Sequence, residues 1–148
     1  MNIFFKILCF VFFLLKTTYS FSEDTKIKIG VLAPLSGENS TLGKQIISSI
    51  RMALIDINDD KIEIYPKDTR SDPNIALRSA LELEKLGVTL VIGPVFYENL
   101  LHLQEVESIT FLSLTNKTLG LPKNVISSGI NSTSQLNTIK KFLKLNDI

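Results

Sequence analysis

The segment that most constrains the fold is KIKIGVLAPLSG, residues 26–37. Polar and apolar residues alternate over its first four positions and an apolar run follows, which is typical of a β-strand entering a sheet interior. Pro34 cannot donate to a sheet ladder and Gly37 tolerates backbone angles that other residues resist, so the strand should end there. An amphipathic helical pattern follows, with Ser40 or Thr41 as its N-cap. The segment therefore predicts a strand, a loop and a helix, the first unit of an open parallel sheet.

Four more strand patterns follow, and helical patterns separate most of them. A strand at 61–65 precedes a turn, and Asp72 caps a helix that starts with Pro73 and ends before Gly87. The nearly continuous apolar run at 88–92 predicts a central strand covered on both faces. The remaining elements are a short helix with Leu100, Leu101, Leu103 and Val106 inward, strands at 109–114 and 124–130, and a last helix at 134–145. This alternation predicts an α/β fold with a doubly wound, mainly parallel sheet in a three-layer αβα arrangement.

The longer helical patterns carry apolar stripes that should pack against other elements. The stripe of the first helix consists of Leu42, Ile46, Ile50, Ala53, Leu54 and Ile57. The inner face of the second consists of Ala76, Leu77, Ala80, Leu81 and Leu83. In the last helix Leu136, Ile139 and Leu143 share one face with Phe142 beside them, while three lysines lie on another.

Residues 1–22 have the pattern of a secretory signal peptide. A lysine precedes an apolar run at 7–15, Lys16 ends the run, and small residues at Ser20 and Ser22 suit cleavage before Glu23. A membrane anchor is the alternative, but a spanning helix needs about 20 apolar residues. We therefore expect residues 1–22 to be removed, which would leave a chain that does not span a membrane.

The charge balance and the cysteine content narrow the function classes. Beyond residue 22 the chain has 14 basic and 15 acidic residues, so no basic face for nucleic acid is predicted. Cys9 is the single cysteine and lies within the predicted signal peptide. A disulfide framework, a thiolate metal site and a cysteine nucleophile are therefore not expected in the processed chain.

The familiar catalytic motifs are not matched by this sequence. A phosphate-binding loop that starts at Gly37 is not predicted, because five residues rather than four separate Gly37 from Gly43. Gln45 also stands where a magnesium-binding hydroxyl is needed. No Gly-x-Ser-x-Gly elbow occurs, and His102, the one histidine, suits a surface position. The two neighbouring carboxylates, Asp59 and Asp60, suit a solvated turn at the end of a helix better than a metal site. We expect no enzyme activity and no cofactor.

The candidate binding residues lie in loops at the carboxyl ends of the predicted strands. In doubly wound sheets the first and third strands are often neighbours and their helices go to opposite faces, which opens a crevice for ligands. The predicted site residues are Leu35, Ser36, Gly37, Gly93, Pro94, Phe96, Tyr97, Thr115 and Asn116. Tyr97 is expected to be exposed and to stack on a ligand or hydrogen bond to it. The alternative is that the Pro and Gly residues only end strands.

Several short segments together resemble the type I periplasmic-binding-protein fold, in its leucine-binding-like branch. They are IGVLAPLSG at 29–37, DTRSDP at 68–73 and VIGP at 91–94, in the order and spacing of that family. The resemblance implies a non-enzymatic periplasmic protein in which two lobes close on a small, amino-acid-like ligand and deliver it to an ABC permease. It also implies that residues 23–130 form a first lobe and that 131–148 begin the crossover to a second lobe that this chain does not encode.

One departure from the family pattern opens a second interpretation. Amino-acid binders of the family usually have Ser or Thr hydroxyls after the Gly-Pro, whereas Val95, Phe96 and Tyr97 follow here. The segments FLSLTN at 111–116 and DTRSDP look similar to the penicillin-binding-protein activators, which contact a cell-wall synthase. The alternatives are thus an activator of peptidoglycan synthesis and, from another class, an unrelated secreted α/β enzyme.

Overall fold

The structure, a computed structural model, describes residues 26–146. The predicted signal peptide at 1–22 lies outside the described residues. Five strands form one sheet in the order β2-β1-β3-β4-β5, and every neighbouring pair is parallel. The strands are β1 (Ile27–Ala33), β2 (Ile62–Asp68), β3 (Leu90–Ile92), β4 (Thr110–Ser113) and β5 (Val125–Ser127). The strand order changes direction between β1 and β3, which confirms the predicted doubly wound α/β fold.

The helical segments follow the strands in the predicted order. They are α1 (Ser40–Ile57), α2 (Pro73–Lys85), two 3-10 turns (Tyr97–Leu100 and Leu103–Glu105) and α3 (Ser132–Leu145). The Asp72 side chain accepts hydrogen bonds from the backbone of Asn74 and Ile75, as predicted for the start of α2. None of the helices in residues 26–146 combines the length and apolar character needed to cross a membrane.

The core lies on one face of the sheet, beneath α2 and the 3-10 turns. Sheet residues Leu32, Val91 and Phe111 are buried there together with Leu83 of α2. A Cβ atom on Gly30 would lie 2.7 Å from the Leu83 side chain, so glycine is what lets α2 approach β1 this closely. This packed face is the rigid support for the loops at the strand ends.

Two leucines that were predicted to face this core are exposed instead. Ala76, Ala80 and Leu83 are buried at spacings of four and three, whereas Leu81 is rotated about 100° from Ala80 around the helix axis and is exposed. The predicted helix near residue 100 consists of 3-10 turns, in which residues three apart share a side. Leu100 and Leu103 therefore face inward, and Leu101 does not.

The opposite face of the sheet is only partly covered. Among residues 26–146, right-handed crossovers place α1 on that face and α2 on the other, because β1 to β2 and β2 to β3 move in opposite directions across the sheet. The stripe predicted to be buried on α1 is only partly covered: Ile46, Ile50 and Leu54 are half-buried, and Gly43 is the one fully buried residue of this helix. The prediction that β3 is covered on both faces was wrong for the same reason, since Leu90 of this strand is 38% exposed. One helix is too narrow to cover five strands.

Helix α3 has no buried residue, although Asn131 and Ser134 form a reciprocal capping box at its start. Apolar side chains at Leu136, Ile139 and Phe142 are all exposed. The predicted apolar stripe is therefore present but is not buried among residues 26–146.

We expect α3 to exchange its amide protons rapidly in the monomeric chain. A helix of about 14 residues without tertiary packing is marginal in water, even with a good N-terminal cap. Hydrogen exchange measured by mass spectrometry should show weak protection after Ile130 and strong protection in β1 and β3 of the same sample. Strong protection of 134–145 in a monomer would contradict this expectation.

Candidate ligand-binding site

The loops at the carboxyl edge of the sheet are held together in pairs. After β1 and β2, the backbone N–H of Thr69 donates to the carbonyl of Ala33 at 3.0 Å. After β3 and β4, the Ser113 hydroxyl donates to the carbonyl of Pro94 at 2.8 Å, and the Leu114 N–H donates to the same oxygen at 3.1 Å. The edge on which the sequence places the site is thus an ordered surface built from several loops.

Asp68, at the end of β2, organises the loop that follows β1. Its carboxylate accepts hydrogen bonds from the Leu35 N–H at 2.8 Å and the Ser36 N–H at 3.2 Å. The Ser36 hydroxyl donates to the second carboxylate oxygen at 2.5 Å. Ser36, predicted to contact a ligand, is therefore already engaged by Asp68. Sequence reasoning missed this role, although an aspartate ending a strand beside β1 was the available signal.

The same hydrogen bonds set the ionisation of Asp68. Partial burial raises its pKa, but the Ser36 hydroxyl and the backbone N–H groups of Arg70, Leu35 and Ser36 together outweigh that effect and leave the pKa below its ordinary value. A carboxyl with a lowered pKa in the folded state stabilises the fold above its unfolded-state pKa, and this contribution is lost as the pH falls through the folded-state value.

We expect the Asp68 network to stabilise the chain at neutral pH and to weaken in acid. The free energy of unfolding of wild type relative to Asp68→Asn should be largest above about pH 4 and should shrink as the pH falls further. Urea denaturation of both proteins at pH 7, 4 and 3 measures that difference. A difference that does not change with pH would show that the charge of Asp68 plays no part in holding the loop.

Three of the predicted glycine and proline positions shape the loops. Gly37 and Gly93 have positive φ angles of 80° and 102°. Gly93 and Pro94 are buried, so neither presents a side chain to a ligand. Leu35 is partly exposed, and its backbone N–H is bound by Asp68. For Gly37, Gly93 and Pro94, the alternative interpretation, that these residues only end strands, accounts for their placement.

The remaining predicted residues share one depression of about 570 Å³ at this edge. Phe96 and Tyr97 line it from the loop after β3, and Thr115 and Asn116 line it from the loop after β4. Its other lining residues are Val95, Glu98, Leu114 and Ile130. Leu35, Ser36 and Gly37 do not line it. The predicted residues of the loops after β3 and β4 thus share one surface, whereas those of the loop after β1 do not belong to it.

Tyr97 is less available than the sequence suggested. Its side chain is half-buried against the core, which corrects the expectation of an exposed ring. The ammonium of Lys117 lies 3.4 Å from the ring centroid, within range of a cation–π interaction. The loop after β4 therefore supplies the group that stacks on the tyrosine.

A second depression, of about 710 Å³, lies at the amino ends of β4 and β5. It is lined by Gln104, Glu107, Thr110, Lys123 and Asn124. Although this depression is larger, parallel α/β sheets bind ligands at the carboxyl ends of their strands. We therefore take the depression at Phe96 and Tyr97 as the candidate site.

Groups suited to metal binding are not clustered in the described part of the chain. No three His, Cys, Asp or Glu side chains of residues 26–146 are arranged to hold an ion. His102 is exposed, with its Nδ1 atom 3.8 Å from a Glu105 oxygen, so the prediction of a surface histidine is confirmed. The surface at Phe96 offers aromatic, hydroxyl, amide and charged groups for contact with a ligand.

Solved structures with the same fold include both expected branches. The leucine-binding protein LivK of Thermotoga maritima is 23% identical, with a TM-score of 0.64, over 81% of this chain and 37% of that protein. The C-terminal domain of LpoA from Haemophilus influenzae, described as a regulator of PBP1A, is 20% identical with a TM-score of 0.67. That match covers 82% of this chain and 38% of the domain. At these identities the similarity shows the fold.

Sequence comparison extends the similarity to an archaeal relative. The uncharacterized protein MJ1266 of Methanocaldococcus jannaschii is 36% identical in an alignment of 86 residues that covers 53% of this chain and 21% of that protein. The present chain thus spans about a fifth of this relative and less than half of the solved structures. The sequence profile of the periplasmic binding proteins matches residues 26–138, which is most of the chain. The chain belongs to the periplasmic binding protein family.

Proposed function

We propose that the chain supplies one wall of the ligand site in a non-enzymatic, periplasmic solute-binding protein that serves an ABC importer. The observation that supports this most directly is the depression lined by Phe96, Tyr97, Thr115 and Asn116 at the carboxyl edge of a sheet of this family. The proposed ligand is small and amino-acid-like. Aromatic and aliphatic side chains would hold its apolar part, and Thr115, Asn116 and the loop backbone would hold its polar groups.

A single wall should bind such a ligand weakly. Tight small-molecule sites bury most of the ligand surface, and the depression here is open to solvent on one side. We therefore expect dissociation constants of about a millimolar for the isolated chain, rather than micromolar ones. Saturation-transfer NMR detects binding in this range and is the measurement of choice.

The test compares a variant in the depression with one outside it. Phe96→Ala should weaken the signal of L-leucine about tenfold, because it removes an aromatic contact at the centre of the surface. Ile55→Ala on α1 is the control, since Ile55 is exposed and lies on an element that does not line the depression. Equal binding by wild type and both variants would show that the ligand does not use this surface.

A second candidate function, activation of a cell-wall synthase by protein contact, is favoured by the uncovered apolar surface of α3. Leu136, Ile139 and Phe142 present apolar side chains to solvent on one helix. Exposed apolar patches often mark protein contacts. Co-sedimentation with a purified class A penicillin-binding protein tests this function, and loss of the complex in Ile139→Asp with unchanged leucine binding would favour it over solute binding.

A further inference from the structure

Helix α3 carries its apolar side chains and its charges on separate faces. At about 100° per residue, the apolar side chains fall within an arc of about 120° around the helix axis. They are Leu136, Ile139, Phe142 and Leu143. The cationic side chains fall within a neighbouring arc of about 100°. They are Lys140, Lys141 and Lys144. All seven side chains are exposed, so both faces are accessible to a partner.

The charge of α3 also distinguishes it from the other helices of the described chain. Helix α1 contains Asp56 and α2 contains Glu82 and Glu84, whereas Ser132–Leu145 has three lysines and no acidic residue. The rest of the chain beyond residue 22 has 11 basic and 15 acidic residues. Positive charge is thus concentrated on one exposed helix of a chain that is otherwise acidic. A local field of this kind attracts an anionic partner.

The three lysines of α3 are not neutralised within the described chain. None of them forms an ion pair with a carboxylate of residues 26–146. Lys140 borders the apolar arc beside Leu136 on the helix surface. Long lysine side chains at such a border reach a polar boundary while the apolar face beside them is buried. The helix therefore suits a surface on which apolar and anionic groups occur together.

A bilayer surface provides this combination better than a second copy of the chain does. Pairing of two α3 helices would bring six lysines together without a carboxylate on either helix, which is unfavourable. A helix with a lysine-rich face and a Leu- and Phe-containing face is typical of segments that lie in the membrane interface. At about 1.5 Å per residue, α3 is about 21 Å long and is shorter than the hydrocarbon core of about 30 Å. Such a helix would lie in the plane of the interface.

We propose that α3 binds the headgroup region of an anionic phospholipid bilayer. Phe142, Leu143 and Ile139 enter the apolar boundary, and the three lysines contact the lipid phosphates. The contact orders a helix that has no buried residue in the chain alone. No residue of α3 lines the depression at Phe96, so this inference goes beyond the proposed function and does not depend on it.

The experiment follows the amide exchange of residues 134–145 in the whole chain by mass spectrometry. Vesicles of phosphatidylcholine alone are compared with vesicles that contain about one third phosphatidylglycerol. Protection of 134–145 should rise with the anionic vesicles and stay weak with the neutral ones, while protection of β1 does not change. In a vesicle titration, three lysines should make binding to the anionic surface about a hundredfold tighter. Sodium chloride at about 1 M should remove most of this preference, because it shortens the screening length to about 3 Å.

Two variants with the same change in net charge complete the experiment. The charge variant of α3 combines Lys140→Gln, Lys141→Gln and Lys144→Gln. Glutamine and lysine have similar helix propensities, so this variant removes charge without disfavouring the helix, and it should lose the preference for anionic vesicles. The control combines three exposed positions outside α3, namely Lys44→Gln, Arg51→Gln and Lys123→Gln. It should behave as wild type. Residues 1–22 are identical in all three proteins, so they do not contribute to the difference.

The outcomes separate a bilayer from other partners of α3. Equal protection with both vesicle types, unchanged protection in the charge variant, or no protection with either vesicle would overturn the proposal. Protection that increases with protein concentration before vesicles are added would show that a second copy covers α3, and would overturn it too. Leucine binding at Phe96 is measured separately, so each of these results leaves the proposed function in place.

Discussion

Replacement of Gly93 by alanine is expected to destabilise the chain by about 3 to 5 kcal/mol. Gly93 has a φ angle of 102°, which costs a residue with a side chain about 1 to 3 kcal/mol. A Cβ atom there would also lie 2.2 Å from the carbonyl oxygen of Leu32. That oxygen belongs to the backbone of β1, which is paired on both sides and cannot move aside. The strain and the clash therefore add.

Gly37 provides the matched control for this prediction. Its φ angle is 80°, but no atom lies within 4 Å of the position that a Cβ would occupy. Gly37→Ala should therefore cost only the backbone strain, about 1 to 2 kcal/mol. Urea denaturation of both variants separates strain from steric clash. Similar losses in the two proteins would mean that the loop after β3 can move away from β1, and that the site is less rigid than described.

Replacement of Asn124 by leucine is expected to cost about 3 kcal/mol. The side-chain amide nitrogen donates to the carbonyl oxygens of Leu103, Val106 and Ile109, at 2.9, 2.9 and 3.3 Å. These carbonyls lie in the second 3-10 turn and in the irregular segment that joins it to β4. Leucine has a similar size but cannot donate, so the carbonyls would lose a buried partner and the segment would loosen.

Asn99 is the natural comparison for Asn124. It is 1% exposed, and neither amide atom has a hydrogen-bond partner among the described residues. Burial of an unpaired amide costs free energy, so Asn99→Leu should raise the free energy of unfolding by about 1 kcal/mol. The two substitutions are chemically identical and should have opposite signs. Destabilisation by both would mean that the Asn99 amide has a role that these contacts do not reveal.

The order of elements could be predicted from the sequence because it depends on local periodicity. The alternation at 26–29, the Asp72 cap and the apolar run at 88–92 each record a nearby physical constraint, and the structure confirms the elements that they indicate. The strands at 88–92 and 124–130 were predicted too long. A strand ends where its hydrogen bonding to the neighbouring strands ends, and this limit depends on the assembled sheet rather than on the local sequence.

Burial on α1 and the composition of the site could not be predicted in the same way. Ile46 and Leu54 have the spacing of a buried stripe but are only half-buried, because burial depends on which other segments cover that face. Ser36 was predicted to contact a ligand, and its partner Asp68 lies 32 residues away. Lys117 stacks on Tyr97, which lies in the loop of another strand. Such pairs follow from the strand order, which single-sequence periodicity does not contain.

The central claim is that ligands bind at the carboxyl edge, in the depression formed by the loops after β3 and β4. The most direct test is a map of amide chemical-shift changes on addition of L-leucine. We predict that the largest changes fall at Phe96, Tyr97, Thr115 and Asn116. Changes centred on Gln104, Lys123 and Asn124 at the opposite edge, or none in either depression, would contradict this account.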